Sequence, residues 1–525
     1  MINDDPSVIA PILAHLKQSF RLGKTLPVQY RKQQLRNMIR GIKELEQKFH
    51  EAIQKDLGLN VVQSQLLSTN FTLDEVEYTL NNIDKWVKSE TTDVPLAVGP
   101  GKSYIKPEPL GVGLVVGPWN YPVANSVAYV ASAIAAGNCC VVKPSELSPN
   151  VSNVIAELFD KYMDKDCYRC IEGQVEVAKA IVKQNFDIII FTGSTEKGKL
   201  IAKAAAENLI PCILELGGKS PTIVDRNADL DNAAYRIMQG RYMNCGQTCV
   251  ACDYLFVHKD IKEQLIQRFK QKLIEFYGED PSKSKDYSRI VNDFHLQRLK
   301  GYLDENHGGK VLVGGQVNPK ERFIAPTLIE NPRLNSKLMQ DEIFGPILPI
   351  YEFDDFDYVV NFIKERPKPL ALYYYGSGSS DNFKRLKNET SSGSLALNES
   401  VFQVAILQAP FGGVGFSGHG KLHGYNGFKA FSHFKSVFEK GGLNFFPFNV
   451  RYPPYTGTRL KTLNMMMSAS GLTQGAVNKF LGLIVLLIVL AVIIKLVNFG
   501  SIAHSVCNLA TETSNTINGP NKISQ

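Results

Sequence analysis

A chain of 525 residues exceeds what one hydrophobic core organises, so two or three folded units are expected. Hydrophobic residues make up 44% and charged residues 21%, the balance of a globular protein rather than a disordered or fibrous one. The net charge of +7 comes from scattered basic residues without a stripe, which argues against nucleic-acid binding.

The N-terminus, MINDDPSVIAPILAHLKQSF, begins acidic and lacks a basic stretch before an apolar run. It reads as neither a secretory signal nor a transit peptide. Nine cysteines are too few and too irregularly placed for a disulfide scaffold, and a reducing cytosolic setting is expected. Residues 8–90 predict helices, with one amphipathic segment ending near Gly58. From Val112 onward, apolar runs alternate with amphipathic stretches. VGLVV, CCVVK, DIIIF and CILEL predict buried parallel strands, with helices such as AELFDKYMD and KGKLIAKAAAEN between them. A second α/β segment follows, with strands near TIVD, YLFVH, LPIYEF and GSLALN. The glycine- and cysteine-bearing stretch 214–252 joins the halves, where a crevice between domains is the expected ligand site.

Near the end, FLGLIVLLIVLAVII at 480–494 carries no charge or strong polar group and is flanked by Lys479 and Lys495. Extended through Leu496 and Val497, with both lysines reaching outward, it predicts a transmembrane anchor at 480–497. A buried core helix is the alternative, disfavoured by the polar tail 498–525 that follows. Arg451, Arg459, Lys461 and Lys479 precede the run, which places the large N-terminal part on the cytosolic side. The endoplasmic reticulum and the mitochondrial outer membrane both suit such a short span.

Two short motifs invite nucleotide readings. FTGSTEKGKL follows a strand and opens a helix, with Gly193 for a tight turn and Gly198 for close approach to a phosphate. It misses a P-loop because Leu200 stands where a hydroxyl would hold Mg²⁺, so an NTPase is disfavoured. GVGLVVG lacks its third glycine. A structural turn explains either motif in isolation. The spacing of Cys245, Cys249 and Cys252 is compatible with an iron–sulfur cluster, and equally with one reactive thiol. Cys167 and Cys170 form half a zinc site that nothing completes.

Seven segments stand together in order: PWNYP (118–122), VVKPSELSP (141–149), FTGSTEKG (191–198), LELGGKSP (214–221), NCGQTC (244–249), EIFGPILP (342–349) and PFGGVGFSGHG (410–420). Together they resemble the aldehyde dehydrogenase superfamily over residues 10–455. The WNYP form and the trailing FSHFKS and RYPPY are similar to its class 3 branch. The C-terminal apolar run is similar to that of the membrane-anchored fatty aldehyde dehydrogenases, including the fungal hexadecenal dehydrogenase type.

The resemblance implies an α/β fold with a Rossmann-like NAD(P)-binding domain (1–92 and 107–217) and an α/β catalytic domain (218–424). It also implies a small oligomerisation arm (93–106 and 425–445) that makes a homodimer. A membrane-proximal segment (446–479) would precede the anchor. Within that segment, 458–471 reads either as a plain linker or as a surface-lying guide for an apolar substrate.

Cys249 is implied as nucleophile, Asn120 as oxyanion donor and Glu215 as general base. Lys143 and Glu146 would hold the adenosine ribose, and Gly193, Ser194 and Gly198 the pyrophosphate turn. Glu342 would hold the nicotinamide ribose, with Phe344 beside the ring. Glu146 disfavours a 2′-phosphate, so NAD is expected, with NADP also accepted; no metal is expected. Tyr121, Asn398 and His423 are implied on the substrate side, although His423 also reads as a structural histidine. The expected reaction oxidises long-chain aldehydes to acids, with membrane lipid as a partner through the anchor. An iron–sulfur enzyme, a dehydrogenase of soluble aldehydes and a non-catalytic scaffold are the rival readings. Oxidation linking Cys249 to Cys245 or Cys252 is a further expectation.

Overall fold

The computed structural model describes residues 4–442, 445–468, 479 and 483–490. The chain divides into two compact units. One comprises Met1–Lys88 and Pro107–His433, the other Ser89–Lys106 and the chain from Phe434.

The first unit contains two large sheets and a two-stranded ribbon, Val317–Asn318 with Phe323–Ile324. In the first, β1 (Val112–Val116) pairs in parallel with β2 (Cys139–Lys143) and β4 (Ile188–Gly193). β3 (Tyr168–Cys170) flanks β2, and β5 (Cys212–Leu216) flanks β4. The residues of β1 and β2 are buried throughout, because helices cover both faces and leave no side for polar alternation. GVGLVVG is therefore strand rather than phosphate loop. At the carboxyl end, Thr192 of β4 lies opposite Glu215 of β5. Asn120 follows the end of β1, and Lys143 closes β2. The mapped residues thus gather at the strand ends where α/β sheets bind ligands.

The second sheet is built on β6 (Pro221–Val224), β7 (Tyr254–His258), β10 (Ile347–Phe353), β11 (Ala371–Tyr375) and β12 (Ser394–Leu397), all parallel. β8 (Lys310–Val313) runs antiparallel to β9 (Thr327–Glu330) at its edge. Alternate residues serve opposite faces. Leu255 and Tyr373 enter one apolar cluster, while Tyr254, Phe256, Leu372 and Tyr374 enter the other. After the second sheet is complete, β13 (Gly418–His419) returns to the first sheet. It pairs antiparallel with β5, setting Gly418 opposite Glu215.

In the second unit a three-stranded sheet joins Glu90–Thr92, Lys102–Pro109 and Ser432–Glu439. Tyr104 donates to Glu439 at 2.7 Å, and Lys440 donates to the Val98 carbonyl at 2.7 Å. The helix Gly457–Ser468 follows, with Met466 buried and Met465 and Met467 exposed. Of the expected anchor, the structure describes 483–490, a helix whose residues are between 37% and 59% exposed. The remainder, 480–482 and 491–497, and the tail 498–525 lie outside the described residues. No helix among the described residues is long and apolar enough to cross a membrane.

Candidate active site

The helix Leu230–Tyr242 ends in an unusual turn. Asn244, Cys245 and Gly246 take positive φ values of 50°, 54° and 72°. At Gly246 a side chain is excluded twice: by that φ, and because a Cβ would stand 2.3 Å from the Gly345 carbonyl. The turn is held by amides. Asn244 Nδ2 donates to the Asn120 carbonyl (3.0 Å), and Gln247 Nε2 donates to the carbonyls of Asn244 and Arg289 (both 3.0 Å). Gln247 Oε1 accepts from Val291 N at 3.0 Å. Asn120 Nδ2 donates to the Gln247 carbonyl at 3.0 Å, which engages one of its two N–H bonds and leaves the other for an oxyanion.

This turn separates the three cysteines. Cys245 and Cys252 are wholly buried. Cys245 Sγ bonds to the Tyr287 hydroxyl at 3.4 Å, and Cys252 Sγ to the Ser400 hydroxyl at 3.3 Å. Cys249 alone is partly exposed. The two neighbours thus point to separate partners in the core, an arrangement that supports neither a shared cluster nor a ready disulfide with Cys249. Burial pushes the Cys249 thiol up to about 12; the carboxyls of Glu342 and Glu215 add to this, while the Cys249 and Val250 N–H groups oppose it.

Glu215 is buried at the end of β5, and neither carboxyl oxygen has a hydrogen-bond partner within the protein. Desolvation holds its carboxyl well above the usual range, opposed by the charge of Lys421. Lys421 is itself fixed by the carbonyls of Gly412 (2.6 Å) and Gly413 (2.9 Å). An unsatisfied buried carboxyl beside a thiol is expensive for a structural residue and suited to handling a proton. In sequence, the one signal for Lys421 is its position just beyond PFGGVGFSGHG.

The groove suits a nicotinamide dinucleotide. Buried Lys143 donates to Glu146 Oε2 at 2.7 Å, pairing a cation with an acceptor that a ribose diol can join. Gly193 leads into the helix Thr195–Ala206, whose N-cap is Ser194, and a Cβ on Gly193 would lie 2.6 Å from the Phe191 ring. The helix N-terminus supplies N–H groups suited to a pyrophosphate. The structure gives Gly198 another neighbour: a Cβ there would meet Leu216 at 2.6 Å, so its bareness serves helix-on-strand packing. Glu342 rests on Gly217, where a Cβ would come within 1.9 Å of Oε2, and burial pushes its carboxyl up to about 8. Phe344, at φ 47°, meets Trp119 edge-on at 5.3 Å.

On the substrate side the expected residues separate. The Tyr121 hydroxyl bonds with Thr248 Oγ1 at 2.6 Å, adjacent to the nucleophile. His423 is buried, stacked on Phe411 at 4.8 Å and edge-on to Phe71 at 5.6 Å, and desolvation lowers it to about 4, so the ring is neutral. Asn398 is engaged elsewhere. Its amide both accepts from Gly376 N (2.9 Å) and donates to Gly376 O (3.0 Å), tying the ends of β11 and β12 together.

Beside His423, Glu75 accepts from Gly424 N at 2.7 Å, and burial raises its carboxyl to about 7. Folding therefore favours the protonated acid, and the penalty is absent at low pH, grows from about 4.5 and is complete above about 7. The variant Glu75→Gln retains an acceptor without the charge, so it should stabilise the protein by ~3 kcal/mol at pH 8 and far less at pH 5. Denaturant unfolding at the two pH values measures this, and equal shifts at both would contradict it.

A family model described as the aldehyde dehydrogenase family matches residues 6–437. The chain is 40% identical over 480 residues to aldehyde dehydrogenase family 3 member A2 of Rattus norvegicus, covering 91% of this chain and 98% of that one. It is 41% identical over 448 residues to the dimeric NADP-preferring aldehyde dehydrogenase of Canis lupus familiaris, covering 85% and 98%. Among solved structures, the substrate-bound state of Staphylococcus aureus AldH superposes with a TM-score of 0.84 at 39% identity, covering 87% of this chain and 99% of that one. The thiol, the unpartnered carboxyl and the amide donor thus stand in a chain that belongs to the aldehyde dehydrogenase family.

Proposed function

We propose that this aldehyde dehydrogenase oxidises long-chain aldehydes at a membrane surface, using NAD or NADP. The observation that supports the chemistry is the buried, unpartnered Glu215 carboxyl that acts electrostatically on the Cys249 thiol, with the Asn120 amide held on the Gln247 carbonyl two positions before that thiol. The Cys249 thiolate attacks the carbonyl carbon, and the free N–H of the Asn120 amide and the Cys249 backbone N–H meet the developing oxyanion. When bound, the nicotinamide ring supplies the hydride acceptor that carries the aldehyde to the acid level. Cys249 then holds the acyl group as a thioester. Glu215 removes a proton from water attacking that thioester, the carbon–sulfur bond breaks, and the acid leaves while the thiol is restored. Lys143 and Glu146 grip one ribose and Glu342 the other, with Phe344 beside the ring.

The long-chain reading rests on apolar surface. The helix 483–490 is exposed throughout, and Phe445, Phe446, Tyr455 and Leu460 add further exposed apolar side chains among basic residues. Such a surface needs a nonaqueous partner. A membrane of the endoplasmic reticulum or mitochondrial exterior, with the catalytic unit in the cytosol, meets that need and concentrates a lipophilic aldehyde. A homodimer through the arm sheet is supported by the canine relative, which is named as dimeric. Sedimentation of detergent-solubilised protein at twice the mass of the 58.3 kDa chain checks it.

The substrate test measures NADH formation by the full chain in vesicles with hexadecanal, octanal and 4-hydroxybenzaldehyde. Hexadecanal should give the highest kcat/KM, by about tenfold or more over 4-hydroxybenzaldehyde, since each buried methylene contributes ~0.8 kcal/mol. Turnover confined to the aromatic aldehyde would remove the lipid assignment and leave the mechanism standing.

A further inference from the structure

Three charged residues outside the reacting set meet where the segments carrying Glu215, Cys249 and Glu342 are tied together. Lys219 lies four positions after the base, Asp253 four after the nucleophile, and Arg241 eight before it. Lys219 Nζ uses all three of its N–H bonds, on Asp253 Oδ2 (2.5 Å), the Leu338 carbonyl (2.6 Å) and the Asp341 carbonyl (2.9 Å). Asp253 Oδ1 accepts from Ile343 N at 3.1 Å and lies 3.5 Å from Arg241 Nη1. Arg241 also donates to the Cys252 carbonyl at 3.0 Å and, through Nη2, to the Gly345 carbonyl. Arg241 and Asp253 are buried, and Lys219 nearly so.

The pattern brackets one residue. The carbonyl before Glu342, the N–H after it and the Gly345 carbonyl three positions on are all held by these side chains. The same side chains anchor the Cys249 loop at Cys252 and Asp253, and the segment after Glu215 at Lys219. A fully desolvated charge group is a costly way to secure loops that apolar packing could hold, unless it fixes backbone that a ligand must find in place.

We propose that Lys219, Asp253 and Arg241 are positioning residues for the dinucleotide, locking the Asp341–Ile343 backbone so that Glu342 presents its carboxylate to the nicotinamide ribose. This rests on the reading of Glu342 as the ribose ligand. The decisive measurement is the Kd of NADH, from its fluorescence on binding, for the full-length protein and for Lys219→Met, Asp253→Asn and Glu342→Gln. Alongside it run the rate of Cys249 alkylation by iodoacetamide without dinucleotide and KM for dinucleotide and aldehyde separately. Glu342→Gln should weaken NADH about tenfold, Lys219→Met comparably and isosteric Asp253→Asn about threefold. In the last two, alkylation and aldehyde KM should stay within about twofold of the parent. Weakening in Glu342→Gln but not in folded Lys219→Met or Asp253→Asn overturns the positioning role. So does a fall in alkylation that parallels the loss of NADH affinity, which would mark general loosening. An unchanged Kd in Glu342→Gln instead overturns the ribose assignment. Asp253→Asn, which keeps an acceptor for Ile343, decides the matter should Lys219→Met fail to fold.

Discussion

Replacing Cys249 with Ser is expected to abolish aldehyde oxidation, with kcat falling by about 10⁴ or more while NADH still binds. A hydroxyl occupies nearly the same volume, so the fold and groove persist. The alkoxide needed for attack is inaccessible in a pocket that already pushes the thiol up to about 12. That pocket also shapes the parent enzyme. A thiol held this high is almost entirely protonated at pH 7–8 before dinucleotide binds, so iodoacetamide should label Cys249 slowly, with the rate rising about tenfold per pH unit through pH 10. Rapid, pH-independent labelling would show a thiolate at rest. Measurable oxidation by Cys249→Ser, at a hundredth of the parent rate or better, would remove this residue from the chemistry. Cys245 and Cys252, buried on Tyr287 and Ser400, are expected to remain unlabelled throughout.

Glu215→Gln should divide the reaction in two. Thioester formation needs the thiol and the amide donors, so one equivalent of NADH per site is expected in a burst. Hydrolysis needs a base for water, so the steady-state rate should fall by about 10²–10⁴. Rapid-quench detection of the acyl-enzyme, with release restored only slowly, would confirm the assignment. Because desolvation raises the Glu215 carboxyl, its ionised fraction grows with pH, and the parent's deacylation rate should climb as pH rises past the usual carboxylate range. The Gln variant should lose that rise. A variant with an unchanged steady state would place the base elsewhere. A variant lacking both burst and turnover would tie Glu215 to thiol activation instead.

Much of this was legible in the chain. The β-branched runs at 112–116, 139–143 and 188–193 are strands because a sheet covered on both faces wants apolar residues throughout. ALYYY at 371–375 gives little strand signal in sequence although it lies inside the second sheet between β6 and β12. Its three tyrosines look polar in composition, yet all are buried with their hydroxyls bonded, Tyr373 to the Val250 carbonyl at 2.5 Å. Motif order singles out Cys249, Glu215 and Asn120, and the fold leaves the Glu215 carboxyl unpartnered and sets the Asn120 amide on the Gln247 carbonyl. Motif order did not distinguish Asn398, whose αL backbone and amide close on Gly376, from a substrate contact. Nor did it separate Gly198, a packing glycine against Leu216, from the turn beside it. The Lys219–Asp253–Arg241 group was invisible for a plainer reason. Its hydrogen bonds join segments up to about 120 positions apart, and no local periodicity records which carbonyls a folded chain will bring to an ammonium.

The antiparallel pairing of Gly418 with Glu215 bears on how the enzyme is born. Ribosomes deliver β5 roughly two hundred residues before the strand that covers its edge, so a nascent chain carries an open hydrogen-bonding ladder with the base at its rim. Until Gly418–His419 arrives, that edge is a docking line for any extended peptide, including another nascent copy. Premature termination anywhere between Cys249 and β13 should therefore yield an aggregation-prone fragment that holds both Cys249 and Glu215 but lacks the strand covering the edge of β5.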